Sequence, residues 1–247
     1  MMLIRPVLPP RLRVSARNFF KTTFPPENTL GYDYRPSITR IRHGNPKMAA
    51  VNSTMMALGS PAPTFKLMGT DGSVVSIDEF SGQPLLVAFI CNHCPYVKHV
   101  AAQLKKIGDD YNGKVQTIAI NSNDVDAYPD DAPDLMKVEK QERGYAFPYL
   151  FDADQSVAQA YAAACTPDFY LFDAEHKLFY RGQMDDSRPI RIESGVYDFE
   201  TTPATGQHLR SAMDALLAGN DRPELQKPSL GCNIKWKPGS EPRYFEG

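Results

Sequence analysis

Six apolar residues, Leu85–Ile90, run directly into Cys91-Asn92-His93-Cys94, and a helical pattern starts at Pro95. An apolar run of this length reads as a buried strand. Val97, Val100, Ala101, Leu104 and Ile107 then recur at helical spacing to about Tyr111, where Asn112-Gly113 ends the helix. A second apolar run, Val115–Ile120, follows. Strand, helix and strand of these lengths make a parallel βαβ unit. The unit delivers two thiols to a helix N-terminus, whose partial positive charge and free N–H groups favour a thiolate. Two thiols held two residues apart can open and close a disulfide.

The flanking pattern continues this architecture. Ala62–Leu67 and Ser73–Ile77 surround Gly69-Thr70-Asp71-Gly72, a hairpin signal. After the second strand comes a polar loop, 121–133, with Asp124, Asp126, Asp130, Asp131 and two prolines. Its carboxylates suit a hard cation in principle, but no EF-hand spacing is present and a solvated loop is expected. Helices are expected over 134–143 and 156–164, with a short extended piece at 147–152 between them. Thr166–Asp173 and Leu178–Arg181 then read as an antiparallel hairpin. Gly182–Thr202 is irregular, and Gly206–Ala218 places Leu209, Ala212, Met213, Leu216 and Leu217 on one helical face.

At 247 residues the chain allows one large domain or two small ones. The boundaries expected are an arm over 1–47, a folded domain over 58–220 and an irregular, Pro-rich tail over 221–247. Residues 1–47 carry nine Lys/Arg and only two acids, Glu27 and Asp33, which leaves 18 bases against 27 acids in the other 200 residues. Three readings of the arm are open: a disordered segment, an organelle presequence, or codons upstream of a true start at Met48, which is favoured. An acidic body argues against a nucleic-acid partner. No apolar run reaches the roughly 18 residues a membrane span needs, so no membrane partner is expected. Four scattered cysteines do not make a disulfide-stapled secreted domain. The expected compartment is therefore reducing and cytoplasmic, unless the arm directs import into an organelle.

The element order, together with three motifs, resembles the thioredoxin superfamily, in its peroxiredoxin-like AhpC/TSA (redoxin) branch. The motifs are Phe89-Ile90-Cys91-Asn92-His93-Cys94-Pro95, Phe147-Pro148-Tyr149-Leu150-Phe151-Asp152, and Thr166-Pro167 before a strand ending in Asp173. Gly59–Phe65 is similar to the opening of peroxiredoxin domains, and Asp185-Asp186-Ser187-Arg188-Pro189 is similar to an uncharacterised peroxiredoxin-like branch. The resemblance implies an α/β thioredoxin-like fold, with a central mixed sheet flanked by helices and an N-terminal β-hairpin extension. It also implies a cis peptide at Pro167 that leaves the Thr166 backbone free to pair with a substrate beside Cys91.

Departures from the family pattern bear on chemistry. With Cys94 in the peroxidatic place, Cys91 stands where a Thr/Ser belongs and Val87 where a Pro belongs, and Pro167 stands at the peroxide-holding Arg. Against thioredoxin itself, Ile90 replaces a Trp and Leu85 a buried Asp. The expected activity is therefore thiol–disulfide exchange in cell redox homeostasis. Cys91 would be the nucleophile, Cys94 the resolving thiol, and His93 a donor stabilising the Cys91 thiolate. Expected partners are a protein or small-molecule disulfide or thiol and a thiol electron donor, with no cofactor and no metal. The alternatives are an antioxidant thiol peroxidase using Cys94, and a non-catalytic metal- or partner-binding module. Zinc would want a second Cys/His pair, and Cys165 and Cys232 are single. Cys165 reads as a small buried residue, with a third redox thiol as the alternative. Cys232 lies in the tail, where a resolving role and no role are both open.

Overall fold

The computed structural model describes residues 50–244, so the arm over 1–47 and the Met48 start lie outside the described residues. The first elements are β1 (Ala50–Asn52), the hairpin β2 (Lys66–Gly69) and β3 (Val74–Ser76), β4 (Leu85–Phe89), α1 (Pro95–Asp110) and β5 (Gln116–Asn121). Next come α2 (Pro133–Arg143), β6 (Tyr149–Phe151), α3 (Ser156–Ala160), β7 (Cys165–Thr166), β8 (Asp168–Phe172) and β9 (Leu178–Gly182). The last are β10 (Ile190–Glu193), β11 (Val196–Asp198), α4 (Gln207–Leu217) and β12 (Leu230–Asn233).

Seven strands form a mixed central sheet in the order β3-β2-β6-β5-β4-β8-β9. β4, β5 and β6 run parallel, and the outer pairings are antiparallel. This is an α/β thioredoxin-like architecture with the expected N-terminal hairpin. β4 is an interior strand between β5 and β8, and all its residues are buried. Alternate side chains of a strand point to opposite faces, so this continuous apolar run divides between two cores. Leu86, Ala88 and Ile90 join α1 and α4 through Leu104, Ile107, Leu209 and Met213. Leu85, Val87 and Phe89 join Phe65, Tyr161, Phe172 and Trp236 on the other face. The hydrophobic burial on both faces fixes the register of β4, and hence where the chain leaves the sheet at Cys91.

α1 begins with Pro95 at its first position, which costs no hydrogen bond because that N–H has no intrahelical partner. Its apolar stripe faces the first core. Three sequence expectations change. Gly182–Thr202, expected to be irregular, contains the antiparallel pair β10 and β11. The helix expected over 156–164 stops at Ala160, because Ala162 adopts positive φ and the chain turns into β7. The segment 221–247 is not irregular throughout. β12 lies between β1 and β7 in a second, three-stranded sheet, and Ile234 and Trp236 beyond it are buried in the second core. Leu230-Gly231-Cys232-Asn233 has no alternation to announce a strand; it is a strand because two neighbours pair with it. Among the described residues no helix is long and apolar enough to cross a membrane.

Gly231 is what allows β12 to dock. A Cβ placed there would lie 2.0 Å from the Thr166 carbonyl oxygen. Gly231→Ala should therefore destabilise the fold by about 1–3 kcal/mol, the usual cost of forced overpacking, measured by urea unfolding. An unchanged midpoint would show that β12 is not tightly seated.

Candidate active site

β4 and β8 are adjacent, and Phe89 pairs with Asp168 at their shared end. Cys91 follows one strand and Pro167 precedes the other, so the Cys-x-x-Cys loop and the Thr166-Pro167 turn meet. The Thr166–Pro167 bond is cis. The Thr166 hydroxyl lies 3.3 Å from Cys91 Sγ, and Cys94 Sγ donates to the Thr166 carbonyl at 3.2 Å. The structure thus brings Cys91, Cys94, Thr166 and Pro167 together. One expectation is corrected. The Thr166 backbone is not free, because β12 pairs with β7 and sets Cys232 opposite Thr166. The two active-loop sulfurs are covered: Cys91 is 1% exposed and Cys94 fully buried.

The loop itself is held by a residue that composition assigned to solvent. β5 runs parallel to β4 and ends at the same sheet edge, which carries the polar segment after it back over the dithiol. Asp131 there is fully buried. Its Oδ1 accepts the backbone N–H groups of Asn92 (2.8 Å) and His93 (3.3 Å). Its Oδ2 accepts the Asn123 side-chain amide and meets His93 Nδ1, both at 2.7 Å. Asn121 donates to the Asp131 carbonyl, and Asn92 both donates to the Asp130 carbonyl and accepts from Tyr149. The His93 ring also stacks on Tyr128, with centroids 5.5 Å apart. His93 is therefore oriented by Asp131 and is no freely solvated residue at a helix end. The legible signal was positional: two parallel strands ending at one edge put both following loops at one site.

Charge is distributed unevenly across the two thiols. Burial pushes the Cys91 thiol well up, and the Cys94 thiol and the Asp131 charge add to this against the Thr166 hydroxyl. Burial acts to raise Cys94 too. It is outweighed by the thiols of Cys232 and Cys91 and the backbone of Val97 and Cys232, so Cys94 falls well below the usual thiol range. Cys94 occupies the N-cap position of α1, where helix N–H groups and dipole favour negative charge. Burial and the Asp131 charge thus oppose a resting thiolate at Cys91, while Cys94 keeps the proton it donates to Thr166 and lies in surroundings that ease its loss.

Beside the dithiol, a small cavity of about 20 Å³ is lined by Tyr96, His99, Pro167, Met184, Ser187 and Arg188. Its wall is the Asp185–Pro189 motif. Asp185 accepts from the Ser187, Thr205 and Gly206 backbone, and Arg188 donates to the Asp185 and Ser187 carbonyls. Arg188 is committed to this wall and does not reach a thiol.

The family model described as Redoxin matches residues 57–198, more than half of the chain. The chain belongs to the Redoxin family. The redoxin domain is similar to the crystal structure of an uncharacterized conserved protein from Geobacillus kaustophilus, with 51% identity, TM-score 0.71, and coverage of 78% of this chain and 98% of that one. A hypothetical protein from Sinorhizobium meliloti matches at 45% identity and TM-score 0.70, covering 76% and 99%. A candidate thiol:disulfide interchange protein DsbE from Chlorobium tepidum shares the fold at 21% identity and TM-score 0.50, covering 65% and 98%. Among curated proteins none matches significantly.

In this redoxin domain, Cys91 Sγ, a His93 ring nitrogen and an Asp131 carboxylate oxygen lie within 4.8 Å of one another. They are the residues that would hold a metal. Structural zinc takes four protein donors, and the Asp131 oxygens here already accept from Asn92, His93 and Asn123. The trio serves the loop conformation better than a metal shell.

Asp131→Asn removes the negative charge that opposes ionisation of Cys91. In a Cys94→Ser, Cys232→Ser background, the Cys91 pKa from alkylation rates should fall. An unchanged profile would show that Asp131 acts through geometry alone. Asp168, fully buried behind the cis turn, has its carboxyl pushed up to about 7 by burial, although the Tyr170 hydroxyl and the Phe169 N–H donate to it. The folded chain holds this proton more tightly than the unfolded one. The stability it supports is complete below the unfolded carboxyl value of about 4 and is lost as pH rises through about 7. Asp168→Asn should flatten the stability profile in that window by up to about 1.4 kcal/mol per pH unit, read from urea unfolding at several pH values.

Proposed function

We propose that the protein is a thiol–disulfide oxidoreductase acting through Cys91 and Cys94. The observation that carries this reading is the convergence of both sulfurs on Thr166, one on its hydroxyl and one on its carbonyl, with Cys94 at the N-cap of α1. Membership of the Redoxin family supports it. The substrate would be a protein or small-molecule disulfide, with a thiol as the electron donor, in a reducing cytoplasmic compartment.

Reduction of a substrate then runs in two exchanges. Cys91 first loses its proton to solvent as the buried loop opens, giving a Cys91 thiolate. That thiolate attacks one substrate sulfur; a Cys91–substrate disulfide forms, the substrate disulfide breaks, and the leaving thiolate takes the proton from Cys94. The Cys94 thiolate next attacks Cys91 Sγ, forming the Cys91–Cys94 disulfide and releasing the second substrate thiolate, which is protonated from solvent. Two electrons have moved from the dithiol to the substrate. Run backward, the same steps oxidise a dithiol. His93, oriented by Asp131, fixes the loop that presents Cys91.

A second reading, a thiol peroxidase, is favoured by one observation, the placement of Cys94 at the N-cap of α1, where loss of its proton is eased. It lacks the arginine that would hold a peroxide, since Pro167 occupies that place and Arg188 is bonded elsewhere. Stopped-flow mixing with hydrogen peroxide separates the two; oxidation of Cys94 at the rate of free cysteine excludes the peroxidase. A metal-binding module, in turn, predicts stoichiometric zinc in the purified protein.

For the leading reading, the reduced protein should reduce glutathione disulfide or insulin. Cys91→Ser, Cys94→Ser and the double variant should all fall to one background, about 10³-fold below wild type, because residues acting as a unit are not additive. Full activity in Cys91→Ser would sink the mechanism.

A further inference from the structure

Cys232 is used by nothing in the mechanism above, yet it is built into the site. β12 runs antiparallel to β7 with Cys232 opposite Thr166 and Asn233 opposite Cys165. The pairing places a cysteine-bearing extended segment along the residue that precedes the cis-proline, where an incoming substrate backbone was expected. Its close approach depends on Gly231, which packs directly on the Thr166 carbonyl. The Cys232 side chain is buried in one apolar cluster with Cys91, Cys94 and Val97. Cys232 stands opposite Thr166, whose carbonyl accepts from Cys94 Sγ at 3.2 Å, and its thiol interacts with that of Cys94. The Thr166 hydroxyl lies 3.3 Å from Cys91 Sγ, so the three cysteines meet around Thr166. Cys165 is excluded from this set. It neighbours Thr166 on one strand, so its side chain points to the opposite face, and it donates to the Pro167 carbonyl.

We propose that Cys232 is a third redox thiol that exchanges with Cys94, so that β12 acts as a substrate strand supplied by the chain itself. The proposal rests on the dithiol reading and extends it. Starting from the Cys91–Cys94 disulfide, Cys232 gives up its proton and its thiolate attacks Cys94 Sγ. The Cys94–Cys232 bond forms, the Cys91–Cys94 bond breaks, and Cys91 leaves as a thiolate that takes up the proton released by Cys232. No electrons enter or leave, so no further oxidant is needed. The oxidised protein then exists as two disulfide isomers, one of which restores a free Cys91. Burial of all three sulfurs in one water-poor cluster protects both isomers from hydrolytic and solvent-borne side reactions and favours exchange between neighbours over exchange with a distant thiol.

Full-length protein is equilibrated in mixtures of reduced and oxidised glutathione, quenched in acid, alkylated and digested with trypsin. Cys91 and Cys94 lie on one tryptic peptide and Cys232 on another, so the isomers differ as a loop within a peptide and a cross-link between two. The expected result is that wild type yields both, and that Cys91→Ser yields the Cys94–Cys232 cross-link. Cys232→Ser should keep the loop form but lose one oxidised state, lowering the apparent oxidation equilibrium constant about twofold if the isomers are equally populated; Cys232→Ala serves if Ser does not fold. The proposal is overturned if wild type gives only the loop form at every ratio and Cys91→Ser takes up glutathione on Cys94 without cross-linking. It is equally overturned if Cys232→Ser leaves the oxidation constant unchanged. Failure of the dithiol reading looks different: Cys232→Ser would then form no Cys91–Cys94 disulfide at any ratio.

Discussion

Thr166 is the residue through which every part of the site is coupled. Its hydroxyl touches Cys91, its carbonyl accepts from Cys94, and its backbone pairs with the strand carrying Cys232. A threonine suits this place because it offers a short, stiff side chain whose oxygen reaches one sulfur while the carbonyl serves another. Its position is set on one side by the pairing of β8 with β4 and on the other by β12. Displacing the turn by an ångström would separate all three contacts together, so the site is cooperative with the fold rather than added to it.

The second constraint is electrostatic. Asp131 supplies two acceptor oxygens in an otherwise buried loop, and four donors converge on them. A buried carboxylate with fewer partners would be costly; this one is stabilised by its donors and in return fixes the backbone at Asn92 and His93. The same charge opposes ionisation at Cys91. Orientation of the loop and activation of its first thiol therefore pull in opposite directions. The surroundings favour ionisation instead at Cys94, one turn away, through the thiols of Cys232 and Cys91 and the backbone N–H groups at the start of α1.

Much of this was legible in the sequence, and the limits are physical. β4, α1 and β5 were readable because burial imposes a period on the residues themselves, and the Cys-x-x-Cys and Thr166-Pro167 motifs announced two halves of the site. Asp131 was not readable as a buried residue. It sits among Asp124, Asp126 and Asp130 in a stretch whose composition is that of a solvated loop, and only the direction of β5 brings it over the dithiol. Nor was β12 readable, since four residues with a central glycine carry no period. Its strand character comes from β1 and β7, which lie far away in sequence. What escaped is thus the set of contacts that depend on long-range pairing.

Those missed contacts change what the motif means. A Cys-x-x-Cys read alone is a two-sulfur device with an open face for substrate. In this fold the face beside Thr166 carries the chain's own strand, and the two sulfurs are covered. On the proposed disulfide-exchange reading, a substrate would therefore compete with β12 for the same backbone edge. That competition is intramolecular, so β12 starts with the advantage of high effective concentration, and only a partner that pairs well with Thr166 or pries the strand away gains access. Selectivity among disulfides would then follow from strand exchange at Thr166 as much as from the chemistry of the sulfurs, and the closed arrangement would spare the dithiol from indiscriminate exchange with small thiols.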